Sequence, residues 1–278
     1  MKNVLIPTDF SNNAWNATVY ALEYFKNYKV NFILVHIEHP EILPPAFETL
    51  SHYISGEILE THRVEVALNK KKEAMLKVSN VEASKIKTET LESNFTQGIK
   101  HFVTKYNIDL IVCGTQGLSA NKNKIVGQHA QQIITKIKCP VLIIPTLAKF
   151  TIPVNIAFPT DYNFIYKNKV LNTLSKISAL HNSSIKVIRI VNPKLALTLF
   201  QEKNRSYLKD YFKNTASSFH RVNHIDFQQG LQAFISSMKI DMVAIIAKNL
   251  NFFETLLFKP TVVKMSYHTQ VPFLVLHE

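Results

Sequence analysis

Apolar positions in this chain fall into short runs separated by stretches with helical spacing. Residues 3–7 contain Val4-Leu5-Ile6, which predicts a buried strand. Residues 11–27 place Ala14, Ala17, Val19, Leu22 and Phe25 on or near one face, which predicts a helix. Residues 31–37 read as a second strand, followed by a looser stretch from Pro40 to Pro45 and a long helix around 55–79. A short strand with alternating character at 85–91 and a helix at 98–106 come next. A strand at 108–113, a helix at 127–137 and a strand at 140–145 complete the series. Short apolar strands joined by helical crossovers predict a parallel sheet covered on both faces. Right-handed crossovers make that a doubly wound α/β domain.

The pattern then recurs. Pro7-Thr8-Asp9 returns as Pro159-Thr160-Asp161, offset by 152 residues, each time after an apolar run. Gln97-Gly98-Ile99 returns as Gln229-Gly230-Leu231, offset by 132. The runs Ile108-Asp109-Leu110-Ile111-Val112 and Pro140-Val141-Leu142-Ile143-Ile144 return at the same offset, as Ile240 to Ala244 and Pro272 to Leu276. Four ordered matches with one change of offset identify a tandem duplication. The expected domains are 1–148 and 149–278; the change of offset makes the second copy shorter by 20 residues between the first and second matches, a difference expected between Glu38 and about Gly56. Bare apolar edge strands are aggregation hazards. The runs at 140–145 and 272–277 are therefore expected to pair antiparallel within the chain.

Three of the six glycines, Gly114, Gly117 and Gly127, lie between the strand at 108–113 and the helix that follows. A buried strand, a glycine loop and a glycine at a helix start expose backbone N–H groups where the helix dipole favours an anion. The same spacing also suits a tight strand-to-helix loop with no ligand. Asp9 has a similar double reading, as a ligand residue or as a turn residue before Ser11 and Asn12.

Composition narrows the function. The 278 residues are 46% hydrophobic and 10% aromatic, enough for a sizeable core. No apolar run is long enough for a membrane span, and the N-terminal run is too short for a signal sequence. Cys113 and Cys139 lie in apolar segments, which fits reduced thiols and a cytoplasmic protein. The net charge of +12 is uneven: residues 1–150 hold 17 Lys/Arg against 13 Asp/Glu, and residues 151–278 hold 15 against 7. That excess favours anionic partners, but no RNP motif, zinc-finger spacing or Arg-rich arm points to nucleic acid. No nucleophile elbow, Walker A lysine or zinc-protease motif is present, so an enzyme is not expected, with weak ATP hydrolysis left open as a minor alternative. His36 and His39 fall on opposite sides of an alternating strand, a poor metal pair, and His36 reads as a strand residue packed near the site.

Pro7-Thr8-Asp9, Leu34-Val35-His36 and the spacing Gly114-x2-Gly117-x9-Gly127 resemble the universal stress protein family, over essentially the whole chain as two copies. The resemblance implies two tandem Rossmann-like domains of the adenine nucleotide alpha hydrolase-like kind. Each would be a five-stranded parallel sheet with helices on both faces, the copies pairing through their last strands. It also implies a regulatory or sensing role in stress, with ATP or AMP bound in the first copy and magnesium only with ATP. Pro7, Thr8 and Asp9 would meet the base or ribose, and Val35 would line the base pocket. Gly114, Gly117, Gly127 and Gln128 would frame the phosphates. Gln128 stands where nucleotide-binding members carry Ser or Thr, with Lys122, Lys124 and His129 nearby. In the second copy the glycine positions fall on Ile246, Asn249 and Lys259, followed by Pro260. That copy is expected to bind no phosphate. The alternative is a protein of the same fold that binds no nucleotide and acts through a protein partner. A further homodimer is left open.

Overall fold

The computed structural model describes residues 1–39, 50–115, 127–192, 195–247 and 270–278, with backbone only for 50–62. The strand and helix periods of the sequence are realised in order. The first half runs β1 (Asn3–Pro7), α1 (Asn12–Tyr24), β2 (Asn31–Glu38), α2 (Leu50–Val78), β3 (Ile86–Glu92), α3 (Phe95–Lys105), β4 (Leu110–Gly114), α4 (Gln128–Lys136) and β5 (Val141–Ile144). The second half runs β6 (Asn155–Pro159), α5 (Asn168–Leu180), β7 (Ser184–Val191), α6 (Leu199–Tyr211), β8 (Ser217–Asn223), α7 (Phe227–Met238), β9 (Met242–Ile246) and β10 (Phe273–Leu276).

The strands form one ten-stranded sheet in the order β3-β2-β1-β4-β5-β10-β9-β6-β7-β8. Every neighbouring pair is parallel except β5 and β10, which run antiparallel with Leu142 opposite Leu274. Each apolar edge of a half-sheet is thus covered by the other.

Strand alternation divides the core into two layers. Val4, Ile6, Phe32 and Leu34 pack with α1 and α2, while Leu5, Ile33 and Val35 pack with α3 and α4. In the second half Ile185 and Val187 join α5 and α6, and Ile188 joins α7. The halves also touch on both faces of the sheet. His181 Nε2 lies 3.0 Å from the Tyr24 carbonyl, and His277 Nε2 lies 2.7 Å from the Ile134 carbonyl.

The duplication extends to single hydrogen bonds. Asp109 Oδ2 accepts from the N–H groups of Lys2 and Asn3 at 2.7 and 3.1 Å. Asp241 Oδ2 accepts from Val154 and Asn155 at 2.9 Å each. Both carboxylates pin the start of the first strand of their half. The repeated glycines have a steric reason as well. A Cβ at Gly98 would lie 2.8 Å from Ile37 Cδ1, and one at Gly230 would lie 2.7 Å from Ile190 Cγ2. Only a bare backbone lets α3 and α7 approach β2 and β7 so closely.

One expectation needs correcting. The length difference is not confined to Glu38–Gly56, because α2 has 29 residues and α6 has 13. Most of the insertion is added helix.

Candidate functional site

The turn after β1 is set by side chains that bond to their own backbone. The Thr8 N–H donates to the Val35 carbonyl at 2.8 Å, which closes β1 onto β2. Thr8 Oγ1 accepts from Phe10 N at 3.0 Å, and Asp9 Oδ1 accepts from Ser11 N at 3.1 Å. These two local turns hold Phe10 at φ 63°, an unusual conformation for a residue with a side chain. Ser11 then caps α1 by accepting from Ala14 N at 3.1 Å. The turn residue and the ligand-facing residue foreseen for Asp9 are therefore compatible. One carboxylate oxygen shapes the turn, and the residue borders a cavity.

That cavity, of about 270 Å³, opens beyond the carboxyl ends of β1, β2 and β4. Pro7, Thr8, Asp9, Val35, Gly114, Gly127 and Gln128 all line it. Gly117 lies outside the described residues, as do Lys122 and Lys124. The position is where open α/β sheets receive ligands. The lining combines apolar residues, Ala14, Val35, Ile37 and Ile133, with polar ones, Asp9, Gln128 and His129.

Gly127 is the N-cap of α4, with φ −71° and ψ 168°. The first intrahelical bond runs from Gln131 N to the Gly127 carbonyl at 3.0 Å. Helix geometry thus leaves the N–H groups of Gln128, His129 and Ala130 without intrahelical acceptors, and these residues border the cavity. The N–H of Gly127 itself donates to the Thr115 carbonyl at 2.6 Å. It is a brace across the loop rather than a donor pointed at the cavity.

Gly114 has a packing reason to be glycine. A Cβ there would lie 2.7 Å from Asn13 Nδ2 and 3.1 Å from the Asn13 carbonyl oxygen, in the first turn of α1. The second half carries Ile246 at the matching register position, since Gly114 faces Ile144 and Ile246 faces Leu276. There the helix starts at Asn168, seven residues after Asp161, whereas α1 starts at Asn12, three after Asp9. The turn that would collide with the larger side chain is absent.

Thr115, Phe95 and His36 are among the lining groups to which the sequence assigns no ligand role. Thr115 is buried, with its N–H given to the Ile144 carbonyl at 3.1 Å. Phe95, at the start of α3, stacks on His129 with ring centroids 4.0 Å apart and planes 14° apart. His36 meets the Thr8 carbonyl through Nδ1 at 2.8 Å and packs on the Phe10 ring at 4.8 Å. It is the strand residue near the site that the pattern predicted. Burial lowers the proton affinity of His129 below its ordinary value, Asp9 opposes this, and His36 adds to it. The Cys113 thiol, beneath Gly114, is pushed up to about 12 by burial and stays protonated. A residue at the start of α3, just past a strand end, was the available signal for Phe95.

The second half repeats the turn but not its surroundings. Thr160 N donates to the Ile188 carbonyl, Tyr162 N to Thr160 Oγ1, and Asn163 N to Asp161 Oδ1, each at 2.9 Å. Tyr162 takes φ 62°. Here α6 closes over the turn, with Gln201 Nε2 donating to the Asp161 carbonyl at 2.9 Å and Asn204 Nδ2 to the Tyr162 carbonyl at 2.8 Å. Asn249, Lys259 and Pro260 lie outside the described residues.

Comparison with known proteins agrees with this architecture. A universal stress protein of Methanocaldococcus jannaschii is 29% identical over 146 residues, covering 51% of this chain and 81% of that protein. A relative from Staphylococcus haemolyticus, also named for this family, is 30% identical over 153 residues, covering 52% and 85%. Among solved structures, a universal stress protein from Archaeoglobus fulgidus matches with a TM-score of 0.65 at 14% identity, covering 99% of this chain and 98% of that one. One from Pseudomonas aeruginosa matches with a TM-score of 0.54 at 14% identity, covering 99% and 93%. These last two likenesses establish the shared fold across both halves. The family model described as Universal stress protein family matches residues 1–145, and the chain belongs to that family.

Proposed function

We propose that the first half is an adenine-nucleotide-binding module with a regulatory or sensing role, and that it carries the chain's one nucleotide site. The observation that carries this reading is the cavity at the ends of β1, β2 and β4, bounded by the N-terminal turn of α4. The base and ribose would lie against Pro7, Thr8, Asp9 and Val35. The phosphates would meet the first turn of α4 at Gly127 and Gln128, beside Gly114 and Gly117. A helix N-terminus favours an anion through its N–H groups and dipole. The Gln128 amide can donate to phosphate in place of a hydroxyl. AMP and ATP are both candidates, and a magnesium ion would enter only with ATP. Among the described residues no nucleophile, base and orienter stand together, so the module would hold its ligand rather than turn it over. The domains would be 1–148 and 149–278, in a cytoplasmic protein with two reduced, buried thiols.

A second reading has its own observations. The Gly114 contact with Asn13 explains that glycine without any ligand, and the Gly127 N–H is already given to the Thr115 carbonyl. In that case the fold would act through a protein partner. Mass spectrometry of small molecules released from freshly purified protein separates the two. An adenine nucleotide in amounts comparable to the protein supports the first. None released, and none taken up on adding ATP or AMP, supports the second.

A further inference from the structure

A second cavity, of about 190 Å³, lies between α6 and the carboxyl ends of β7 and β8. Arg189, Arg221, Arg205 and Lys209 converge on it, and no carboxylate is among the described residues that line it. Strand alternation puts Arg189 on the face of Ile185 and Val187, covered by α5 and α6. This is the opposite face from α7, so the cavity lies across the sheet from the helices that bound the first-half cavity, although Arg189 matches His36 at the margin of that cavity.

The charges sit where the fold does not require them. Arg189 and Arg221 are register partners on adjacent parallel strands. By the Thr8–Val35 and Thr160–Ile188 bonds, Arg189 corresponds to His36 of the first half. The register partner of His36 is Thr90, whose hydroxyl donates to Glu38 Oε1 at 2.8 Å. One half therefore builds these strand ends from neutral and acidic groups, and the other from two guanidinium groups side by side.

Arg189 is only 7% exposed, and a buried charge is costly unless it is matched. Its Nη1 reaches the Leu195 carbonyl at 3.5 Å and its Nη2 the Ala196 carbonyl at 3.5 Å, while Arg221 Nη2 reaches the Leu195 carbonyl at 3.3 Å. These are longer than the usual charge-assisted bonds of about 2.7–2.9 Å. They hold the two forks in place but bring no negative charge. Burial and Arg221 together weaken proton binding by Arg189, with Tyr162 and Asp161 opposing. From α6, Lys209 lies over the Phe219 ring with Nζ 5.7 Å from its centroid, at the rim of the same cavity.

We propose that this cavity is an anion site that takes a small molecule carrying linked phosphate groups. Guanidinium forks match phosphate oxygens in pairs, and four cations around one small space favour a multiply charged anion over a single carboxylate. The test uses pyrophosphate as probe, by calorimetry at fixed ionic strength, in a Gly127→Asp background that is expected, on the proposed function, to remove phosphate binding by the first half. The full chain in that background is expected to bind one pyrophosphate. Adding Arg205→Gln and Lys209→Gln, both exposed positions on α6, is expected to weaken binding at least about tenfold through lost charged contacts. Circular dichroism on the same samples checks that folding is intact. No binding in the Gly127→Asp background, or the same affinity with and without the α6 substitutions, would overturn the proposal. The result is independent of the nucleotide reading, which is scored on the protein without the Gly127 substitution.

Discussion

The turn after β1 and the turn after β6 are built alike, down to a non-glycine residue at φ 63° and 62°. Their surroundings are not alike. Beside the first turn, Gly114 admits the opening turn of α1, and Gly127 starts a helix that points its N-terminus at a cavity. Beside the second, Ile246 replaces Gly114, α5 starts later, and Gln201 and Asn204 bond to the turn from above. The hydrogen bonds that close strands onto one another survive in both copies. The positions facing open space have diverged. Bonds needed by the fold and positions available to a ligand are therefore separable in this molecule, and each can be tested alone.

The largest expected effect is on ligand binding. Gly127→Asp puts a side chain and a negative charge at the start of α4, against the dipole-favoured anion position. Nucleotide affinity is expected to fall at least about a hundredfold, as a phosphate at a helix N-terminus would require. Equilibrium binding with ATP and AMP reads this, and unchanged affinity would move the ligand elsewhere.

Next comes stability at the position where the halves differ most. Gly114→Ala forces a contact with Asn13 and is expected to cost about 1–3 kcal/mol, the usual range for overpacking. Urea unfolding reads it, and a neutral result would remove the packing reason for this glycine.

The shared bonds provide the control. Asp109→Ala and Asp241→Ala each remove one carboxylate that accepts two backbone N–H groups. Each is expected to cost about 1–2 kcal/mol, from loss of charge-assisted bonds at partly exposed sites. If one cost several times the other in urea unfolding, the halves would differ in their framework as well.

The smallest effect is on pH dependence. His129, His181, His220 and His277 are all held below their ordinary value of 6.5, with burial the largest cause in each. Below that value the unfolded chain binds protons that the folded chain resists. Stability is therefore full above about 6.5 and declines as pH falls through and below it. Thermal unfolding at pH 7.5 and 5.5 reads the loss. His277→Gln, at a contact between the halves, should flatten it. An unchanged slope would exclude that contact as a source.

Much of the framework was legible because its causes are local. The repeated Pro-Thr-Asp marks a turn whose side chains bond within three residues. The repeated Gln-Gly marks a close approach that no side chain permits. The antiparallel seam between β5 and β10 followed from two apolar runs that needed cover. The site was less legible because its contacts join distant segments. The Phe95–His129 stack and the Thr115–Gly127 brace depend on how α3 and α4 meet β4. The Gly114 pattern looked like a phosphate signal, yet Asn13, far off in sequence, gives it a packing cause. The excess positive charge of the second half was visible, but the pairing of Arg189 with Arg221 appears only once the β7–β8 register is known.

The central claim is asymmetry: one nucleotide, in the first half. Calorimetric titration of the full-length chain with ATP, ADP and AMP tests it most directly. For AMP, whose single phosphate does not match the linked-phosphate cavity of the second half, the account predicts one site per chain, lost on Gly127→Asp; for ATP and ADP it predicts loss of the first-half site on the same substitution. Two equivalent sites per chain, or no binding of any of the three, would contradict it.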